Sequence, residues 1–220
     1  EKYIHRYGVV PDVSPVIFTN NSSTFSLIKS LVELDCMPLA YIDTREEKFI
    51  EKNTLDFLKQ YNIQLYSNSE VEGCDGNNKI KKVSIRNKEN NIIKLNTSML
   101  CVSGGINPDI HLFTQSKGLI KWDSKLLTFK PDVSFQKTIT LGSVSGNFDY
   151  DKINDEVNNK LAFLKTKELK VKLETEVSSN FNIKELWETK SATKSNWSKS
   201  FIDLQNDVTT KDLSQAVLEG

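Results

Sequence analysis

The chain has 220 residues, of which 38% are hydrophobic and 26% charged, and its 29 basic and 29 acidic side chains cancel to a formal charge of zero. That balance supports one or two packed domains and argues against wholesale disorder. It also lacks the net basic field of a dedicated nucleic-acid binder. No apolar run approaches the roughly 18 residues of a spanning helix, and no signal-peptide pattern opens the chain. We therefore expect a cytoplasmic protein with neither a nucleic-acid nor a membrane partner.

Cys36, Cys74 and Cys101 are widely spaced, odd in number and form no C-x-x-C, while His5 and His111 are the only histidines. This usage fits a reducing compartment and predicts no metal or iron–sulfur ligand set. Glu1 opens the chain without Met and Gly220 closes a helix-like run, so an internal segment of a longer protein is expected.

Taken in order, Pro15 to Asn21 is a short apolar run ending in turn residues, which predicts a buried strand. Ser22 or Ser23 can cap a helix carrying Phe25, Ile28, Leu31 and Val32 at helical spacing. Leu39 to Ile42 predicts a second strand closed by Asp43, completing a βαβ unit. A helix near Asn53 to Tyr61 and a third strand at Ile63 to Tyr66 follow. From Val71 to Leu95, Ile80, Val83, Ile85 and Ile92 interleave with polar residues, as in antiparallel strands with one wet face. A further strand runs into Gly104-Gly105 and Pro108. Thr138 to Gly146, TITLGSVSG, repeats the pattern of strand followed by glycine. A helix capped by Asp149 or Asp151 is then expected, with Ile153, Val157, Leu161 and Leu164 on one face. Lys165 to Ser179 reads as a Lys/Glu-rich linker. The last forty residues carry Trp187, Trp197 and Phe201, expected in a core. A helix from about Lys211 is preceded by Thr209 and Asp212, spaced as a capping box. The predicted class is α/β: a parallel βαβ sheet covered by an antiparallel meander, one recurrent form of dinucleotide-binding domain.

Asn20, Asn21, Ser22 and Ser23 occupy the turn between first strand and first helix, where a dinucleotide pyrophosphate meets free backbone N–H groups and the helix dipole. The usual G-x-G-x-x-G is absent. Asn tolerates the left-handed conformation, so the turn can survive, but added side chains obstruct a phosphate. Nucleotide binding and a fold that holds none both stay open at this turn. Asp43, about twenty residues on, stands where an acid accepts the ribose hydroxyls and would favour NAD over NADP, with Arg45 cutting the other way. Gly104, Gly105, Gly142 and Ser143, together with Gly146, would form a cofactor rim if two glycine turns end neighbouring strands. His111 stands alone, a structural histidine before a base. No nucleophile–base pair or acid pair can be assembled, so no catalytic residue is expected.

Two strings are specific. SGGINPDIHLFTQSKGLIKWD at Ser103 to Asp123 and FIDLQNDVTTKDLSQAVLEG at Phe201 to Gly220 resemble the alpha subunit of heterotetrameric sarcosine oxidase, as do YIHRYGVVPDVSPVIFTNNSSTF and LGSVSGNFD. The resemblance runs in order from about Tyr3 to Gly220.

It implies a Rossmann-like two-dinucleotide-binding fold of the thioredoxin-reductase type, one fold inserted into another, followed by a small helical domain. On that reading residues 1–100 are the inserted nucleotide-binding-like fold. Residues 101–165 are the C-terminal half of the split fold, whose glycine fingerprint lies upstream. Residues 166–220 are a linker and the start of a helical domain, cluster-less because Asp203, Gln205 and Asn206 stand where related subunits carry cysteines. The resemblance further implies NAD in this subunit, favouring Gly104, Gly105, Gly142 and Ser143. FAD, FMN and tetrahydrofolate belong to the complex and cannot be mapped here. The implied partners are the beta, gamma and delta subunits, and the implied reaction is oxidative demethylation of sarcosine to glycine with folate as one-carbon acceptor. A stand-alone NAD(P)H-dependent reductase fragment and a non-binding structural module for assembly remain as alternatives.

Overall fold

The structure, a computed structural model, describes residues 2–11, 13–136, 138–165, 182–186, 189 and 200–220. After a short helix α1 (Lys2–Tyr7), the chain forms β1 (Val16–Thr19), α2 (Phe25–Glu33), β2 (Ala40–Asp43), α3 (Lys52–Gln60) and β3 (Gln64–Tyr66). An antiparallel meander follows, β4 (Glu70–Gly76), β5 (Ile80–Arg86) and β6 (Ile92–Asn96), and then β7 (Leu100–Ser103). β3, β2, β1 and β7 form one parallel sheet in that order, with Val16 opposite both Ala40 and Leu100.

Strand alternation explains the layering. Successive side chains of β1 point to opposite faces, so Ile17 packs with Ile28, Leu31, Val32, Tyr41 and Leu58 under the helices. Val16 and Phe18 point the other way, to Ala40, Ile42, Val71, Val83 and Ile85 beneath the meander. With both faces covered, VIFT and AYID are buried at every position, as a parallel strand between two layers must be. The βαβ unit and the wet-faced meander are therefore where the hydrophobic pattern put them.

Beyond β7 the chain forms α4 (His111–Gln115), the hairpin β8 (Leu119–Asp123) and β9 (Thr128–Val133), and α5 (Tyr150–Lys165). The hairpin was not anticipated: Leu119, Ile120, Trp122 and Phe129 lie partly in solvent, so the stretch shows no clean apolar alternation. The strand expected at Thr138 is absent. Residues 138–141 are irregular and lead into a 3₁₀ turn, Gly142–Ser145, because no strand among the described residues lies beside them to pair. Ile153 and Val157 share the half-buried face of α5; the side chains of Leu161 and Leu164 lie outside the described residues.

Of the linker expected from Lys165 to Ser179, Lys165 instead ends α5 and the rest, with Trp187 and Trp197, lies outside the described residues. Phe201, expected in a core, is 41% exposed in a small hairpin of β10 (Phe201–Asp203) and β11 (Val208–Thr209). Helix α6 (Thr210–Glu219) starts with the anticipated capping box. Thr209 N–H donates to Asp212 Oδ2 at 2.7 Å, and Asp212 N–H donates to Thr209 Oγ1 at 3.5 Å.

Candidate functional site

The order β3-β2-β1-β7 reverses direction between β1 and β7, and in such open sheets the crevice at the carboxyl ends of the strands is where ligands gather. Three turns meet there: Asn20 to Ser23 after β1, Asp43 to Arg45 after β2, and Ser103 to Gly105 after β7. The tertiary fold thus brings Asn20, Asn21, Ser22, Asp43, Gly104 and Gly105 to one end of one sheet.

The first turn survives without glycine, but not through a left-handed residue. Asn21 is extended, φ −151° and ψ 173°, and its side chain does the work. Its Oδ1 accepts from the Ser23 N–H at 2.9 Å and the Ser23 hydroxyl at 2.6 Å. Its Nδ2 donates to Asn20 Oδ1 at 2.9 Å and to the Ser103 carbonyl at 3.2 Å, which ties β1 to β7 across the crevice. The Asn21 N–H itself donates to Thr19 Oγ1 at 3.1 Å. Asn21 is 0% exposed.

Asp43 ends β2 and Arg45 follows in a bend, where its N–H donates to Asp43 Oδ1 at 2.8 Å and holds the two side chains together. Both are buried, with Nε and Nη2 of Arg45 donating to the two oxygens of Asp43. Burial raises the Asp43 pKa, opposed by the hydrogen bonds and charge of Arg45. For Arg45 burial works the other way, yet Asp43 and Glu51 hold the guanidinium above its ordinary value. Glu51 lies 3.5 Å from Arg45 Nη1 and accepts from the Ser22 hydroxyl. A cleft of about 500 Å³ opens beside this cluster, lined by Ser22, Phe49, Glu51 and Asn182 among others.

Residues 182–186 close the crevice. Lys184 N–H donates to the Asn20 carbonyl and Asn20 Nδ2 to the Lys184 carbonyl, both at 2.8 Å, and Asn21 pairs with Ile183 as an antiparallel bridge. Arg45 Nη1 donates to the Asn182 carbonyl at 3.0 Å, and Lys184 Nζ to the Thr44 carbonyl at 2.6 Å.

Gly142 and Ser143 lie elsewhere, on the 3₁₀ turn packed against α5 and the β8–β9 hairpin. No strand precedes them, so they do not end a strand neighbouring β7. The Gly142 N–H donates to Glu156 Oε2 at 3.1 Å, and Glu156 Oε1 accepts from Ser145 Oγ at 3.2 Å and Lys160 Nζ at 2.8 Å. Burial pushes the Glu156 carboxyl up, but Lys160, the Gly142 N–H and Ser145 outweigh it and hold the pKa below the usual value. Gly146, at φ +85°, has Leu126 Cδ1 2.8 Å from where a Cβ would stand. Ser143 is exposed, as is Gly104, whose α-carbon faces open space.

A dinucleotide does not fit the first turn as it stands. The N–H groups of Asn21 and Ser23 are committed to side-chain oxygens, both Asp43 oxygens to Arg45, and Ile183 is seated over Gly105. Gly104 and Ser143 remain reachable. Sequence reasoning missed Glu51, Ser103, Glu156 and residues 182–184. Glu156 and Lys160 were legible as an i, i+4 pair, whereas nothing local marks the segment at 182. His111 is exposed at the start of α4, its N–H directed to Asp109 Oδ1 at 3.4 Å. Burial raises the thiol pKa of each of the three free cysteines, which favours the unreactive protonated form.

Sheet order, meander and crevice define a two-dinucleotide fold of the thioredoxin-reductase type. The thioredoxin reductase of T. acidophilum superposes with a TM-score of 0.53 at 16% identity, over 71% of this chain and 53% of that one. In sequence, residues 197–220 match the sarcosine oxidase A3 domain. The sarcosine oxidase alpha subunit of Rhizobium meliloti (strain 1021) is 24% identical over 225 aligned positions, covering 99% of this chain. That of Corynebacterium sp. (strain U-96) is 24% identical over 152 positions, 67% of the chain. The chain is thus similar to the sarcosine oxidase alpha subunits, as the sequence resemblance implied. It spans 22% and 16% of the length of these two relatives.

Proposed function

We propose that this chain is the nucleotide-fold portion of an alpha subunit of the sarcosine oxidase kind. It would work with beta, gamma and delta subunits in a flavoenzyme complex that oxidatively demethylates sarcosine to glycine and passes the carbon to folate. The observation that carries this reading is collinearity. One relative aligns along 99% of the chain, so the sheet, meander and hairpin described above and the A3-type stretch at 197–220 all fall within one continuous likeness.

The proposed division follows the sheet: an inserted fold, then half of a second fold to about residue 165, then the start of a helical unit. The first boundary is best drawn after Ser103 instead of at residue 100, because Leu100–Ser103 pairs with β1. The reaction's catalytic side chains are assigned to other parts of the complex. NAD is the proposed ligand of this subunit. It is placed in the second, split fold beyond β7 and not in the crevice of the first, with Gly104 and Ser143 favoured because both are exposed. A bound NAD would supply a hydride acceptor.

The test is to express the full chain with its partner subunits and follow sarcosine-dependent oxygen consumption, with and without tetrahydrofolate. A flavin-containing complex that assembles but leaves sarcosine untouched would overturn the substrate assignment. Calorimetric titration of the complex with NAD tests the cofactor separately.

A further inference from the structure

We propose that the crevice of the first fold is a docking groove for this chain's own residues 182–186, which stand there in place of a dinucleotide. The segment reaches all three strand ends. Just beyond β1, one backbone and one side-chain bond between Asn20 and Lys184, both 2.8 Å, and a single antiparallel Asn21–Ile183 bridge hold the segment, a local form of the backbone pairing by which sheets capture peptides. At β2, Lys184 Nζ caps the Thr44 carbonyl and Arg45 reads the Asn182 carbonyl, while Asn182 Nδ2 donates to the Phe49 carbonyl at 2.9 Å. At β7, Ile183 Cδ1 lies 2.8 Å from where a Cβ on Gly105 would stand, so the absent side chain admits the chain's own isoleucine. Leu186 completes the anchor against the core between sheet and meander.

The features that a nucleotide-binding crevice would direct at a ligand are turned inward. The Ser23 N–H at the helical turn after β1 is satisfied by Asn21 and the strand-end acid by Arg45. Arg45, so neutralised, still offers Nη1 to the strap's backbone. A carbonyl-bearing peptide suits these remaining donors, whereas a pyrophosphate would need the committed N–H groups released. The strap lies upstream of the unit at residues 200–220, so its docking fixes where that unit leaves the first fold. This inference rests on the fold alone and is independent of the substrate proposed above.

Hydrogen exchange on the full chain tests it, with Lys184→Ala as the variant, since that side chain is largely exposed and its loss leaves the core intact. Protection of the Lys184 amide in the wild type is expected, unchanged by an excess of NAD or ADP. In Lys184→Ala, exchange across 182–186 and 20–24 should accelerate about tenfold or more, with β5 unaffected. An unprotected Lys184 amide, or acceleration of 182–186 by either nucleotide, would overturn the proposal, and neither readout depends on sarcosine turnover.

Discussion

Arg45 Nη2 lies 2.8 Å from Asp43 Oδ2, and neither side chain is more than 1% exposed. With Glu51 at 3.5 Å, one guanidinium serves two carboxylates at the crevice. Removing it leaves buried negative charge without a partner, so Arg45→Ala should cost about 3–5 kcal/mol in chemical denaturation. Arg45→Lys should recover only part of that, because an ammonium cannot fork across both Asp43 oxygens. A loss under about 1 kcal/mol for Arg45→Ala would show that the pair is not buried as described.

Gly146 sits at φ +85° with Leu126 Cδ1 in the way of any side chain. Gly146→Ala should therefore destabilise the β8–β9 unit by about 1–3 kcal/mol, read as a lowered thermal midpoint. Adding Leu126→Ala relieves the contact but not the backbone, and it opens a cavity at a residue only 2% exposed. The double variant should be no more stable than Gly146→Ala.

The acid response of α5 follows from Glu156. Its folded pKa is lowered, so it contributes stability that is present above the unfolded carboxyl value of about 4.3 and is lost as pH falls through the lower folded value. Glu156→Gln should flatten this acid limb and weaken the Gly142–Ser145 turn even at pH 7. A pH titration of stability for both proteins decides it. Superimposable acid limbs would count against the assignment.

At the other end of the chain, Thr209→Ala removes one half of the capping box. About 1 kcal/mol of local helix stability should go with it. Because α6 has no buried residue, the effect should appear as faster amide exchange confined to residues 210–219, with the parallel sheet unchanged.

Legibility differed by region. The apolar runs at Pro15, Leu39 and Leu100, and the alternation through Ile80 to Ile85, place the sheet and meander because each strand's burial is written in its own residues. The hairpin at Leu119 escaped notice, and the strand expected at Thr138 did not form. Strand pairing depends on what lies alongside, and TITL has no paired strand among the described residues. At the site, Asn20 to Ser22, Asp43 and Gly104-Gly105 lie at one sheet end, since chain order and strand polarity dictate that. Gly142 and Ser143 were grouped with them on a false strand.

The residues of the chain alone determined the class of fold, the capped last helix and the positions that must face the crevice, because these follow from local spacing and from short connections. What occupies the crevice was decided by tertiary structure. The Asn20–Lys184 pairing joins residues 164 apart in sequence. Nothing in a local pattern signals that an Asn side chain, a buried guanidinium and a distant lysine will satisfy the same strand ends, since backbone donors and acceptors take their partners from whatever the completed fold brings within about 3 Å.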